Sequence, residues 1–528
     1  MQFWKKNWLP ILIGLVAIAA RIIPGPRTVD DAFITYRYAQ NLLAGHGLVY
    51  NPGQAVLGTT TPLFASLLAV IGSVLGGTQA PFPWISLILS AAFDALSCWL
   101  LISIGRHWNR AGVGLAAAAV WAVAPMSVTF AIGGMETSLV VLLLLAIAHA
   151  HFTSRHKAAA LLAALALLTR PDTLLFIAPI GLLRLMALVQ PMDDRPTWAE
   201  AALFAVPLLA WGAFAFGTYG TPFPNSVAAK SVAYVLPPEA ALVRLLQHYA
   251  TPFLGHLTFG NWWIGVGLLF LLPLYFLGSA ALIHKERSRW AMMVYPLVYF
   301  IVFAAFNPLL FRWYLTPPLP FYFLGIFAGV NRLASDLKRP AILTVFSILA
   351  VLLTLRGWTV RPDHGPSRPA PQMAYIGLEE VYRQVAEDLV AEMEPGYRLA
   401  AGDIGVLGYI TGEQILDAVG LISPEAVDYF PLPDEYYVAN YAMPPDLILE
   451  ELPDVLVTLE VYVREGLLQD PRFEAQYHLW RTYETDIYGS EGMLVFVRNA
   501  APSSLGLKLR TPIPISDDYI IGNKNPMV

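Results

Sequence analysis

A chain of 528 residues in which 56% of side chains are hydrophobic and only 13% charged, with a mean hydropathy of +0.55, lies far outside the range of soluble domains and reads as a polytopic membrane protein. The net charge of −5 is spread along the chain and forms no basic patch, which sets nucleic acid aside as a partner. Cys98 is the single cysteine, so the sequence provides neither an internal disulfide nor a cysteine-based metal site.

Residues 8 to 23 form the first apolar run and follow Lys5 and Lys6. They lack a small-x-small cleavage site, so they read as a retained span with the N-terminus in the cytoplasm. The next segment predicts a short amphipathic helix. Asp30, Ile34, Arg37 and Asn41 fall on one side of it, and Ala32, Tyr36, Ala39 and Leu43 on another. It is expected to lie along the membrane surface. Asp30 suits an N-cap and Asp31 the first turn, so the carboxylate pair serves either as a cap or as chemistry.

A crossing helix needs about 20 apolar residues for a hydrocarbon layer of about 30 Å. Residues 61 to 77 read as a second juxtamembrane helix, because spans at 84–104 and 112–131 then leave Arg106 and Arg110 inside. Residues 158–189 form a hairpin that turns at Arg170, Pro171 and Asp172. Its first arm, at 1.5 Å per residue, reaches only about 18 Å, so these charges need partners below the outer surface. Residues 199–217 cross outward to a loop over 218–260 that carries Lys230, Arg244, His248 and His256. Spans at 261–283, 290–306, 313–330 and 340–356 complete about eleven crossings and put Arg312 outside. Asp94 stands mid-span without an obvious mate.

Polarity becomes ordinary after Arg356. Residues 361–366 read as a linker, 357–500 as an extracytoplasmic α/β domain with helical spacing over 375–394 and strands at 454–458 and 493–497, and 501–528 as a mobile tail. Residues 402–409, Gly-Asp-Ile-Gly-Val-Leu-Gly-Tyr, are not a dinucleotide fingerprint and predict tight turns.

The string Asp30-Asp31-Ala32-Phe33-Ile34, Tyr36-Arg37-Tyr38-Ala39 and Gly45-His46-Gly47-Leu48, closing in Asn51-Pro52-Gly53 and Thr61-Pro62-Leu63, resembles the first external loop (here 24–83) of GT-C glycosyltransferases. It is most similar to bacterial arabinofuranosyl- and mannosyltransferases that use polyprenyl-phosphate sugars. Gly133 to Thr137, Thr169 to Asp172, Tyr219-Gly220 with Pro224-Asn225 and Ala229-Lys230, and Arg312 with Tyr314 and Pro317 resemble further blocks of these families. The resemblance implies a GT-C-like catalytic module over 1–356 in a bacterial cytoplasmic membrane. It also implies an external site, a polyprenyl-phosphate-linked sugar donor, and a lipid, glycan or protein acceptor.

Sugar transfer from such a donor needs a base for the acceptor hydroxyl and stabilisation for the departing phosphate. Asp30 matches the first acidic position of the family motif and is the expected base, with Asp31 as the second carboxylate. Arg170, Arg312, Lys230, Arg37 and Tyr314 are candidates for the donor phosphate. Arg170 and Arg312 lead because each interrupts apolar sequence. A divalent ion, Mg or Mn, held by Asp30 or Asp31 with Glu136 is a further option. The structural alternatives are equally concrete: Arg170 pairs with Asp172, Arg312 snorkels to headgroups, and Glu136 complements a helix dipole. The rival class is a transporter or flippase whose path uses Asp94, Arg170 and Asp172. A membrane scaffold would leave the Asp-Asp loop unexplained.

Overall fold

The computed structural model describes residues 2–189, 195–253, 262–363 and 367–499. The terminal segment 501–528 lies outside them, as do His256 and residues 364–366 of the expected linker. The chain divides into two compact units. The first takes the chain through Leu48, then Thr59–Pro224 and Leu236–Gly377. The second takes Val49–Gly58, Asn225–Val235 and the chain from Leu378 onward. Two stretches from between the helices of the first unit are therefore built into the second.

The first unit opens with α1 (Gln2–Ile22), α2 (Asp30–Leu43), α3 (Pro62–Val74) and α4 (Phe82–His107). Helix α3, with 13 residues, rises about 20 Å and is too short to cross alone, as its place in the charge pattern requires. The expected span over 112–131 is two helices, α5 (Ala111–Val123) and α6 (Pro125–Ile132), that meet at 48°. Pro125 has no N–H with which to continue the preceding ladder.

Helices α7 (Thr137–Phe152), α8 (His156–Thr169), α9 (Leu174–Val189) and α10 (Trp198–Tyr219) follow. Helix α10 starts on a Thr197/Glu200 capping box and stops at Gly220, φ +74°. Helix α11 (Asn225–Ala233) belongs to the second unit. Helices α12 (Ala240–Ala250), α13 (Trp262–Lys285), α14 (Trp290–Met293), α15 (Tyr295–Phe306), α16 (Leu319–Asp336) and α17 (Ala341–Leu355) complete the first. Gly278 and Gly325 let the α13 and α16 backbones touch, since a Cβ at Gly278 would collide with the Gly325 carbonyl.

The sequence reading gave about eleven membrane crossings. Among the described residues, five helices are long and apolar enough to cross a membrane by themselves, or six with the bent α5–α6 pair counted as one. Five further apolar helices run to 10–17 residues. The difference arises because a hydropathy window merges a short helix with the turn beside it.

Helix α2 departs from its expected setting. Every residue from Ala32 to Ala39 is buried, Arg37 among them at 3% exposure, so other parts of the protein cover both of its faces. Its N-cap is Val29, which puts both Asp30 and Asp31 in the first turn. The segment after α17 also packs inward. Strands β1 (Trp358–Thr359) and β2 (Ala370–Pro371) pair antiparallel, the Trp358 indole donates to the Val123 carbonyl (2.9 Å), and Ala374 joins Leu87, Val128 and Ile132 in an apolar cluster.

Asp94 has a mate after all. Arg21 donates to it through Nε (2.8 Å), and neither side chain is exposed. Ser138 (2.8 Å) and Trp121 (3.0 Å) also donate to Asp94. Arg21 further bonds the carbonyls of Ala17 and Ala122 and the hydroxyl of Ser127.

In the second unit, β3 (Arg398–Ala401), β4 (Gln414–Asp417), β5 (Val455–Leu459), β6 (Tyr477–Tyr483) and β7 (Met493–Arg498) form one sheet in the order β4-β3-β5-β7-β6. The first three are parallel; β7 and β6 continue antiparallel. Helix α18 (Gly377–Glu392) is tied to β6 through Arg481 and Asp388 (2.6 Å). The recruited loop enters the same unit, where the Asn51 amide bonds the Ile415 backbone on both sides (2.8 and 3.0 Å).

Breaking the Arg21–Asp94 pair from one side leaves a buried charge alone. Asp94→Ala is expected to cost about 3–5 kcal/mol, and the double change Arg21→Met with Asp94→Leu to recover most of it; unfolding in detergent micelles measures both.

Candidate active site

Backbone geometry brings the start of α2 against the turn between α6 and α7. The Arg27 N–H donates to the Ile132 carbonyl (2.8 Å), and the Val29 N–H to that of Gly133 (3.1 Å). Gly134 adopts φ +79°, and a Cβ there would run into the Tyr36 hydroxyl and touch Ala32. Glycine is thus required twice over, by conformation and by space. Tyr36 is held in turn by the Ser86 hydroxyl (2.5 Å) and by its ring against Phe82 (6.0 Å between centroids). The result fixes the half-buried Asp30 and Asp31 beside the turn that carries Glu136.

Glu136 caps α7 and is 4% exposed. Burial pushes its carboxyl above the ordinary value, the Arg170 charge opposes this, and Asp172 and Asp31 add to it, so Asp31 is near enough for its charge to be felt. Arg170, at the turn between α8 and α9, holds Asp172 with two parallel bonds (2.9 and 2.8 Å). It lies 3.5 Å from Glu136 and 4.5 Å from the Tyr314 ring centre. The Tyr299 hydroxyl donates to the Tyr314 carbonyl (2.6 Å) and approaches Asp172 (3.3 Å). One guanidinium therefore serves two carboxylates and one ring. It organises the turn, and the net charge around it is negative.

The other sequence candidates separate by setting. Arg312 is exposed, in a turn (Arg312–Leu315) with Trp313 and Tyr314. Arg244 on α12 is close enough to feel its charge. Arg37 is inside α2. Lys230, on α11, belongs to the second unit. Among the described residues no three His, Cys, Asp or Glu side chains gather as a metal ion would need, so Asp30, Asp31 and Glu136 do not form such a set. Glu136 is turned to Arg170 instead. Tyr299 carried no signal in sequence. The Arg21–Asp94 pair escaped the sequence reading, although both residues interrupt apolar runs. That pair also neutralises the intramembrane charge on which a transport path through Asp94 would depend.

The helical arrangement shares the fold of two solved membrane proteins, and its long apolar helices make the chain an integral membrane protein. ArnT from Cupriavidus metallidurans bound to undecaprenyl phosphate superposes with a TM-score of 0.55 at 12% identity, over 94% of this chain and 99% of that one. The Archaeoglobus fulgidus oligosaccharyltransferase AglB, in complex with an inhibitory peptide and a dolichol-phosphate, gives 0.51 at 13% identity over 97% and 77%. In sequence, 227 residues are 28% identical to a terminal beta-(1->2)-arabinofuranosyltransferase of Mycobacterium tuberculosis, 39% of this chain and 35% of that protein. The match thus spans about a third of that relative's length. Residues 372–498 match the family model of a domain of unknown function (DUF8728).

Gly134→Ala is expected to destabilise the protein by about 1–3 kcal/mol, the range for a non-glycine residue forced into the left-handed region. Adding Tyr36→Phe, which removes the colliding hydroxyl, should restore part of that loss in the same unfolding measurement.

Proposed function

We propose that the protein is a membrane glycosyltransferase that moves a sugar from a polyprenyl-phosphate donor to an acceptor hydroxyl. The observation that carries the reading is the clamped meeting of the Asp30–Asp31 turn with the Glu136–Arg170–Asp172 cluster within a GT-C fold. ArnT was solved with undecaprenyl phosphate and AglB with a dolichol-phosphate, which supports a lipid-phosphate donor here. The arabinofuranosyltransferase relative supports a pentose as the transferred sugar.

The reaction is a direct displacement with inversion. The Asp30 carboxylate takes the proton of the acceptor hydroxyl, the freed oxygen bonds to the anomeric carbon, and the bond from that carbon to the phosphate oxygen breaks. Its electron pair leaves with the polyprenyl phosphate. Asp30 and Asp31 sit together in the first turn of α2, where the helix dipole favours the ionised form that a base needs. The carboxylates around Arg170 repel a phosphate, so Arg170 acts as a positioning residue. The departing group is better received by the exposed Arg312 with Arg244 nearby.

Asp30→Asn should leave folding and insertion intact and lower kcat by about a hundredfold or more, the scale of a lost general base. Polyprenyl-phosphate release from a synthetic donor checks this. Arg312→Ala should act differently, raising KM for the donor about tenfold or more, as loss of a bond to a charged group does. An unchanged kcat in the first variant removes Asp30 as the base; an unchanged KM in the second removes the phosphate assignment.

A further inference from the structure

The second unit carries a constellation that sugar transfer, as described, does not use. In its sheet β3 lies between β4 and β5, so the chain leaves β3 to one side and later returns on the other. The crevice outside the carboxyl ends of parallel strands at such a reversal is where open α/β sheets bind ligands. Asp403 stands two residues past the end of β3, and Tyr462 three past the end of β5. Strand β7 runs antiparallel to β5 and begins at this same edge, with Tyr488 in the turn before it.

Four tyrosines line up there. Ring centres are separated by 5.8 Å from Tyr234 to Tyr441, 5.1 Å from Tyr441 to Tyr462 and 6.5 Å from Tyr462 to Tyr488. They run from the 3% exposed Tyr441 to Tyr488, 65% exposed and held at φ +58°. The row is fixed by backbone: Tyr234 bridges Tyr441, and the Met443 N–H donates to the Tyr462 carbonyl (2.9 Å). The Tyr382 hydroxyl orients Asp403 (2.9 Å).

Within this row the Tyr441 hydroxyl is buried against Gly402 and makes no hydrogen bond among the described residues. A buried donor without an acceptor costs about 1–3 kcal/mol, which a ligand oxygen would relieve. Burial first, with the Asp417 and Asp403 carboxylates adding, holds that hydroxyl well above its ordinary value, so it stays a neutral donor. Ring faces for apolar C–H surfaces, one unsatisfied hydroxyl and a carboxylate for hydroxyl groups suit a neutral sugar chain. A phosphate would meet the half-buried Asp403 carboxylate.

We propose that this edge is a saccharide-binding site, in which Tyr462, Tyr488 and Tyr234 stack on sugar rings while Asp403 and the Tyr441 hydroxyl bond sugar hydroxyls, and that its ligand is the acceptor glycan. The last clause rests on the glycosyltransferase reading; the site itself does not.

The test is binding of neutral arabinofuranosyl and mannopyranosyl tetrasaccharides to the full-length protein in detergent, by calorimetry and saturation-transfer NMR. Wild type should bind at least one series. Asp403→Asn and Tyr462→Ala should weaken that binding about tenfold or more, and Tyr441→Phe, which removes only a hydroxyl, by a smaller factor. Asp30→Asn should bind as wild type does, and Tyr462→Phe, which keeps the ring, should bind much better than Tyr462→Ala. No binding to wild type at millimolar sugar, or equal binding by wild type, Tyr462→Ala and Tyr441→Phe, overturns the site. Intact binding with full transfer by Asp30→Asn keeps the site and overturns the catalytic reading instead.

Discussion

The first unit depends on a short piece of backbone pairing. Two N–H groups, at Arg27 and Val29, donate to the last carbonyls of the bent α5–α6 element, and Gly134 allows the next turn to close on Tyr36. Without that contact the Asp30–Asp31 turn would hang from a loop. With it, two carboxylates sit in the first turn of α2, where the positive end of the helix dipole favours their charge. The same contact delivers Glu136 to Arg170 and so links the start of α2 to the α8–α9 turn.

Charge neutrality orders the rest. An apolar chain admits few ions, and two interior groups of them are paired. Arg21 and Asp94 satisfy one another deep among α1, α4 and α5, and Arg170 answers Asp172 and Glu136. A group that must meet substrate needs a different setting. Arg312 has it, exposed beside aromatic rings. The distinction between ions that hold the fold and ions left for ligand is the basis for assigning Arg170 and Arg312 different roles.

Much of this was legible in sequence because membranes impose simple rules. Apolar length and positive charges located the hairpin at Arg170 and made residues 61–77 a non-crossing helix. Motif order in the first external loop pointed to the GT-C fold. Other features were not legible for physical reasons. The burial of α2 depends on partners far away in sequence, so its amphipathic pattern suggested a surface. Pro125 signals a break but not an angle. The pairing of Arg21 with Asp94 spans 73 residues, and the capture of Val49–Gly58 and Asn225–Val235 by the second unit depends on side chains such as Asn51 that bond backbone anywhere.

The central claim is a direct displacement at the anomeric carbon driven by one carboxylate base. The stereochemistry of the product tests it most directly. NMR of the linkage formed from a donor of known anomeric configuration should show inversion. Retention would require a covalent glycosyl-enzyme intermediate, and would contradict both the single displacement and the role given to Asp30.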